Sequence, residues 1–250
     1  MHIIFRDHSL RYTMDVKADK TNLVLDWLLE FRFSSLSILA QRIESTPENS
    51  NRFFNRLIND GVIQKFKNVH TRNDTYVMLT RVGLSYLEAL GRDISRATTR
   101  VQNLGRYAQI IHDVAVQQAA INRITKYNEI VWDRHITIPG IEEKPDLLLI
   151  RDQQKVALEY ERWRKDSKRI YRTFEVHANN LMNHHYNGII YSFDKEVDRQ
   201  FYQKLFDSIE WPRFKKDKKS SKLRMLDTPF FPDKINNLRK CFVFLHEPID

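Results

Sequence analysis

The chain has one cysteine among its 250 residues, Cys241, so an internal disulfide is excluded and a reducing compartment is implied. With a single thiol there is also no Cys/His spacing for a structural zinc site. No apolar run reaches the length of a membrane span, and the first residues lack the apolar region of a signal peptide. These absences predict a cytoplasmic protein with no membrane insertion. Repeats and low-complexity tracts are absent apart from one basic block near the C-terminus. Acids are the minority charge: 41 Lys and Arg stand against 32 Asp and Glu, for a net charge of +9 and a pI near 9.5. A basic soluble chain most often meets nucleic acid, the alternative being a general solubility charge. The apolar content of 42% is enough for ordinary cores, and the length allows one large domain or two modest ones.

The richest stretch runs from Pro145-Asp146 through Glu159-Tyr160-Glu161 to the bases between Arg162 and Lys168. Two short apolar runs, Leu147 to Ile150 and Val156 to Leu158, flank the polar tetrad Arg151 to Gln154. That pattern predicts a β-hairpin. Asp146 then starts the first strand, and Glu159 and Glu161 end the second on one face, because side chains alternate along a strand. The expectation is three carboxylates converging on one point. Hard divalent cations such as Mg²⁺ or Mn²⁺ take oxygen ligands of this kind and drive phosphodiester cleavage.

Residues from about 20 to 90 predict three helices, a β-hairpin and a further helix. Leu23, Val24, Trp27, Leu28 and Phe31 recur at helical spacing. Ser34 and Ser35 can cap a second helix, and Thr46-Pro47 opens a third that ends at Asp60-Gly61. A hairpin follows with its tip at Val69 to Asp74, then a helix from Arg81 to about Leu90. This order resembles a winged helix-turn-helix. Asn51, Arg52, Asn55 and Arg56 would enter a DNA major groove while Phe53, Phe54, Leu57 and Ile58 face the core. Lys65, Lys67, His70 and Arg72 would lie on the wing and contact phosphates. Winged helices also serve as protein-docking modules, and the basic wing argues for DNA.

The domain reading is a winged helix over residues 1–92, a partly helical connector over 93–106, and a second domain over 107–250. Within the latter, a helix from Ile110 to Tyr127, a strand from Glu129 to Ile138, the hairpin, a helix from Arg164 to about Met182 and a strand from Gly188 to Phe193 follow in turn. A helix from Lys195 to Ile209 and a strand from Lys240 to Leu245 complete the chain. The fold class expected is α+β or α/β, with a mixed sheet flanked by helices. The order, with an acid at the second strand and Glu-x-Glu at the third, resembles the PD-(D/E)XK nuclease superfamily. The usual pattern ends in Glu-x-Lys; here Glu161 holds the lysine's place. The positive charge must come from elsewhere, and Lys165 or Lys168 could swing in from the following helix.

Taken together, the winged helix, His112-Asp113 opening the Val-Ala-Val-Gln117 helix, Pro145-Asp146 and Leu158-Glu-Tyr-Glu161 resemble the replication-relaxation family. That family includes the MOB-C class of plasmid mobilisation relaxases. The resemblance spans roughly Asn22 to Phe193. It implies a metal-dependent endonuclease that nicks one strand at a plasmid transfer origin, binding double- and single-stranded DNA alongside accessory mobilisation and coupling proteins. It further implies that Asp146, Glu159 and Glu161 are catalytic or metal-binding, that Lys165 or Lys168 is the catalytic base or charge stabiliser, and that His112 and Asp113 complete the site.

Plainer readings stand beside these. Glu159 and Glu161 could face solvent on a half-exposed strand, and His112 could be a core histidine. Asp133 and His135 are possible neighbours of the site, whereas His177, His184 and His185 are expected at helix ends as surface or packing residues. No His-x-His occurs, which excludes the relaxases that pair such histidines with a catalytic tyrosine. Tyr160, Tyr171, Tyr186 and Tyr191 remain candidates for a covalent link. From Trp211 to Met225 the composition turns basic, with Lys215, Lys216, Lys218 and Lys219 at its centre. Such a block is either a mobile solvated loop or an electrostatic clamp for DNA, with Trp211 and Phe214 available to stack bases. The alternative function is a non-catalytic DNA-binding regulator or replication accessory protein on a nuclease-like scaffold.

Overall fold

Local start and stop signals set the first elements. The computed structural model describes residues 4–67, 75–217 and 222–248, with residues 4–17 as backbone alone. Helix α1 spans Ile4–Phe31, and Ser34–Ser35 form a short strand β1. The Ser35 hydroxyl accepts the Ile38 N–H and caps α2 (Leu36–Arg42). Thr46 likewise accepts the Asn49 N–H, with Pro47 at the first position of α3 (Pro47–Asn59). Gly61 then turns the chain at a φ of +67°, a left-handed conformation that costs glycine little. Strands β2 (Ile63–Phe66) and β3 (Tyr76–Leu79) form the hairpin, and α4 (Arg81–Ala89) is capped by Thr80. The sheet order β1-β3-β2 makes Ser34 and Ser35 partners of Val77 and Tyr76, a pairing the sequence analysis reads only as a cap.

The chain divides into two compact units, Met1–Gln117 and Gln118–Asp250. The division falls within α5 (Tyr107–Ile121). In the first unit, the segment expected as a connector contributes to the core. Leu104 packs with Phe33, Phe66, Tyr76, Met78 and Ile110. Gln117 joins this unit by side-chain bonds, accepting from the Trp27 indole at 3.0 Å and donating to the Phe33 carbonyl at 2.9 Å.

The second unit is built on a mixed five-stranded sheet of order β10-β7-β6-β5-β4. Strands β4 (Glu129–Trp132), β5 (Leu147–Arg151) and β6 (Gln154–Glu161) run antiparallel in sequence. Helix α6 (Ser167–Met182) then crosses over to β7 (Gly188–Phe193), parallel to β6. Helix α7 (Glu196–Phe206) precedes a two-stranded hairpin of β8 (Phe214–Lys216) and β9 (Leu223–Met225). Strand β10 (Phe242–His246) closes the sheet, parallel to β7. The β5–β6 turn places Asp152 and Gln153 at φ of 47° and 71°, the paired left-handed geometry whose twist suits a two-residue hairpin loop. The fold class is therefore α+β. Phe174 of α6 is at the centre of the core, ringed by Tyr191, Tyr202, Phe206, Trp211 and Phe242.

Three expected boundaries shift. Strand β4 stops at Trp132, and Asp133–His135 form a 3₁₀ turn instead of continuing it. Helix α5 begins at Tyr107 and ends at Ile121, short of Tyr127. Helix α6 starts at Ser167 because the Asp166 carboxylate accepts the Arg169 N–H at 3.1 Å and caps it there. No described helix is long and apolar enough to cross a membrane.

Candidate active site

The hairpin register sets the acids of the second unit. Leu147 pairs with Leu158, so Asp146, one residue earlier, stands opposite Glu159. Glu159 and Glu161 follow the same face as Ala157, which packs with Leu148, Tyr191 and Phe193 in the core. The three carboxylates thus share the sheet face covered by α6 and α7. They do not close into a cage. Among the described residues no group of three or more His, Cys, Asp or Glu side chains is arranged to hold a metal ion. Instead each acid has a different companion. Asp146 Oδ2 accepts the Tyr160 N–H at 2.8 Å. Glu159 Oε1 lies 3.2 Å from His177 Nε2, a close approach that is off the line of a hydrogen bond. Glu161 Oε1 accepts from Lys165 Nζ at 2.6 Å.

Glu161 is 3% exposed, and that burial raises its carboxyl pKa, with the Asp146 charge adding to it and Lys165 opposing it. Lys165 carries the reciprocal effect. Burial alone would lower its pKa, but Glu161, Glu159 and Asp146 outweigh it and hold the ammonium above its usual range. Lys165 thus lies in the field of all three anions. This lysine comes from the loop between β6 and α6, not from the helix as expected, because Asp166 already ends that loop as the cap. Lys168 is different: it stands exposed on the first turn of α6. Asp133 is a fourth acid nearby. Its N–H donates to the Asp146 carbonyl at 3.0 Å, and burial, with the Asp146 charge a lesser contributor, raises its carboxyl pKa.

His177 is a correction to the sequence reading. It is 1% exposed, its Nδ1 lies 2.5 Å from the Tyr186 hydroxyl, and burial pushes its pKa down to about 3. It is thus a neutral ring beside Glu159, not a helix-end packing residue. Helical spacing carries the signal: Ile170, Phe174 and His177 follow one buried stripe of α6. Tyr202 of α7, also missed, sets its hydroxyl next to Glu161.

The tyrosine candidates are enclosed. Tyr160 points to the opposite sheet face as expected, and its hydroxyl donates to the Glu247 carbonyl at 2.7 Å. Arg123 clasps the same Glu247 carboxylate at 2.7 Å on that face. Tyr186 is held by His177, Tyr191 is fully buried, and the Tyr171 hydroxyl lies 3.3 Å from Ser208 Oγ. In the first unit, His112 is half-buried on α5, and the buried Asp113 accepts from Gln109 Nε2 at 2.6 Å.

The DNA-facing candidates divide clearly. Asn51, Arg52, Asn55 and Arg56 are exposed on α3, while Phe54 and Leu57 are buried and Phe53 and Ile58 half-buried. Lys65 and Lys67 are exposed on the hairpin. His70 and Arg72 lie outside the described residues, as do Lys218 and Lys219. Lys215 and Lys216 are exposed on β8. The basic block is not a free loop at its described ends. Arg213 pairs with Glu175 of α6 at 2.6 Å, and the buried Trp211 donates to the Phe206 carbonyl at 3.0 Å. Trp211 and Phe214 are both buried, so neither is available to stack on a base.

No family model matches the chain, and no curated protein matches it. Among solved structures it is similar to AbfR in its disulfide-formed state, at 16% identity, over 49% of this chain and 90% of that one, with a TM-score of 0.26. A likeness of that degree bears on neither the fold nor the function.

Proposed function

We propose that the protein is a metal-dependent, strand-specific DNA endonuclease of the relaxase type, directed to its site by a winged helix in the first unit. The observation that carries this reading is the ion pair of the buried Glu161 with Lys165, set among Asp146 and Glu159 at the end of an antiparallel hairpin. Carboxylates clustered at the end of a sheet are costly to a fold unless cations or protons offset them. The three antiparallel strands, crossover helix and parallel strand of β4 to β7 also support a PD-(D/E)XK-type core, and the order of α1 to α4 supports the winged helix.

The donor set suits a hard divalent cation, since all three groups offer carboxylate oxygen. Asp146, Glu159 and Glu161 would hold Mg²⁺ or Mn²⁺, which when bound polarises the scissile phosphate and lowers the pKa of an attacking water. Lys165 supplies the charge that the missing lysine at position 161 would have supplied. Its ammonium offsets negative charge developing on the phosphate oxygens, and Glu161 keeps it aimed. The Tyr160 N–H holds Asp146 in its orientation, and the neutral His177 ring packs beside Glu159. Arg52 and Arg56 on α3 read the duplex, and Lys65 and Lys67 contact its phosphates. His112 and Asp113 enter this reading through the resemblance alone.

The test is a nicking assay on supercoiled plasmid carrying the cognate origin, with Mg²⁺ or Mn²⁺ against EDTA. The expected result is metal-dependent nicking that Asp146→Ala and Glu159→Ala abolish. Binding of the cognate DNA with no nicking under any metal would instead assign the chain to the non-catalytic regulators.

A further inference from the structure

The basic block and the start of α6 form something neither suggests alone. Two adjoining clefts, of about 710 and 390 Å³, lie between the first turns of α6 and the β8–β9 hairpin. They share Arg169 and Leu223, so they form one continuous trough. Lys168 and Lys222 line its outer part, and Arg172 and Lys216 its inner part. Its inner end is lined by Lys165, the cation of the carboxylate cluster. The acids on the walls are Asp166 and Glu143, and both are engaged: Asp166 caps α6 and pairs with Arg169 at 3.2 Å, and Glu143 accepts from Arg172.

We propose that this trough binds the sugar–phosphate backbone of one DNA strand and leads it to the carboxylate cluster, without regard to base sequence. The size argues for a strand. Each cleft has the volume of a small-ligand pocket, room for a nucleotide or two, and the lining runs on to Lys165 at the cluster. The lining argues for phosphate. Six cations stand against two acids, which pair with two of those cations, Arg169 and Arg172, and no described side chain of the lining is aromatic. With no ring in the lining, affinity there comes from counterion release and not from the bases. The inference rests on the nuclease reading for the strand's destination, but its binding step needs no metal and no cleavage.

The test is therefore run in EDTA, with the full chain and a fluorescently labelled single-stranded oligonucleotide, by anisotropy across a salt series. Each phosphate contact contributes about −0.7 to the slope of log K against log salt for a single strand. Lys168→Ala/Lys216→Ala/Lys222→Ala should flatten that slope by about 2 and leave duplex binding unchanged. Lys204→Ala/Lys234→Ala/Lys240→Ala, which removes the same charge from exposed positions outside the trough, should keep the wild-type slope. Oligo-dT and mixed-sequence strands of equal length should bind alike. The proposal is overturned if the trough variant keeps the wild-type slope, if the control variant flattens as much, or if one base composition is strongly preferred. Nicking by a trough variant with an unaltered slope would sink the trough and spare the nuclease. A flattened slope in a protein that never nicks would do the reverse.

Discussion

Replacing Lys165 by Met tests whether this ammonium is the counter-ion of the acid cluster. The substitution keeps a side chain of similar length and removes the charge 2.6 Å from Glu161 Oε1. Removing one partner of a fully buried pair costs about 3–5 kcal/mol, because the other charge is left without compensation. The pair here is asymmetric: the Glu161 side chain is 4% exposed and that of Lys165 39%. Water already reaches the ammonium, so the cost falls below that range, to about 2–3 kcal/mol at neutral pH. The cost should shrink in acid. Glu161 has a raised pKa in the fold, burial being the main cause. Without Lys165 it rises further, and once protonated the side chain carries no charge to strand. The penalty should therefore shrink as the pH is lowered. Glu161→Gln/Lys165→Met should recover most of the loss, since neither charge remains. Because the chain has two units, urea unfolding is best followed by hydrogen exchange on peptides from β6 and β7, which reads the second unit alone. A loss under about 1 kcal/mol, the range of exposed surface pairs, with no pH dependence would refute the reasoning.

Other consequences follow from the same contacts. His177 has an ordinary value of 6.5 and is held near 3 in the fold, so the unfolded chain binds the extra proton between those limits. Stability from this group is complete above about pH 6.5 and is lost as pH falls toward 3; His177→Phe should flatten that acid limb by up to about 1.4 kcal/mol per pH unit, and an unchanged slope would show that the ring is not the group responsible. Gly83 lies where a Cβ would collide with the Val62 carbonyl oxygen, so Gly83→Ala should destabilise the first unit by about 1–3 kcal/mol in thermal unfolding. Phe174→Ala should cost the second unit about 3–5 kcal/mol, read by the same exchange method on β7, given the ring of aromatics it supports. Arg52→Ala and Arg56→Ala should each weaken binding to the cognate duplex by about 1–3 kcal/mol if they contact base edges, and far less to random duplex; equal losses on both would leave them phosphate contacts only.

Much of this protein is determined by short-range sequence signals. Thr46-Pro47 opens α3 and Gly61 turns the chain after it, because capping geometry and left-handed backbone are decided within a few residues. The division of α3 into a buried Phe54–Leu57 side and an exposed Asn51–Arg52–Asn55–Arg56 side follows from the helical period. The hairpin of β5 and β6, with Glu159 and Glu161 on one face, follows from the strand period. Other features depend on groups far apart in the chain. Ser34 and Ser35 become a strand because β3 presents an edge to them. The residues from Trp211 to Phe214 are fixed by a core their own composition does not announce, since burying two aromatic rings outweighs the repulsion of the lysines that follow. Lys165 reaches Glu161 only because Asp166 ends the loop at that point and Glu161 is buried across from it. The sequence by itself thus determined the elements and the acids they carry. The tertiary structure alone decided which cation meets those acids, which histidine stands beside them, and that the basic block becomes one wall of a trough, because side-chain proximity across α6, the sheet and the last hairpin is a property of packing that no local period encodes.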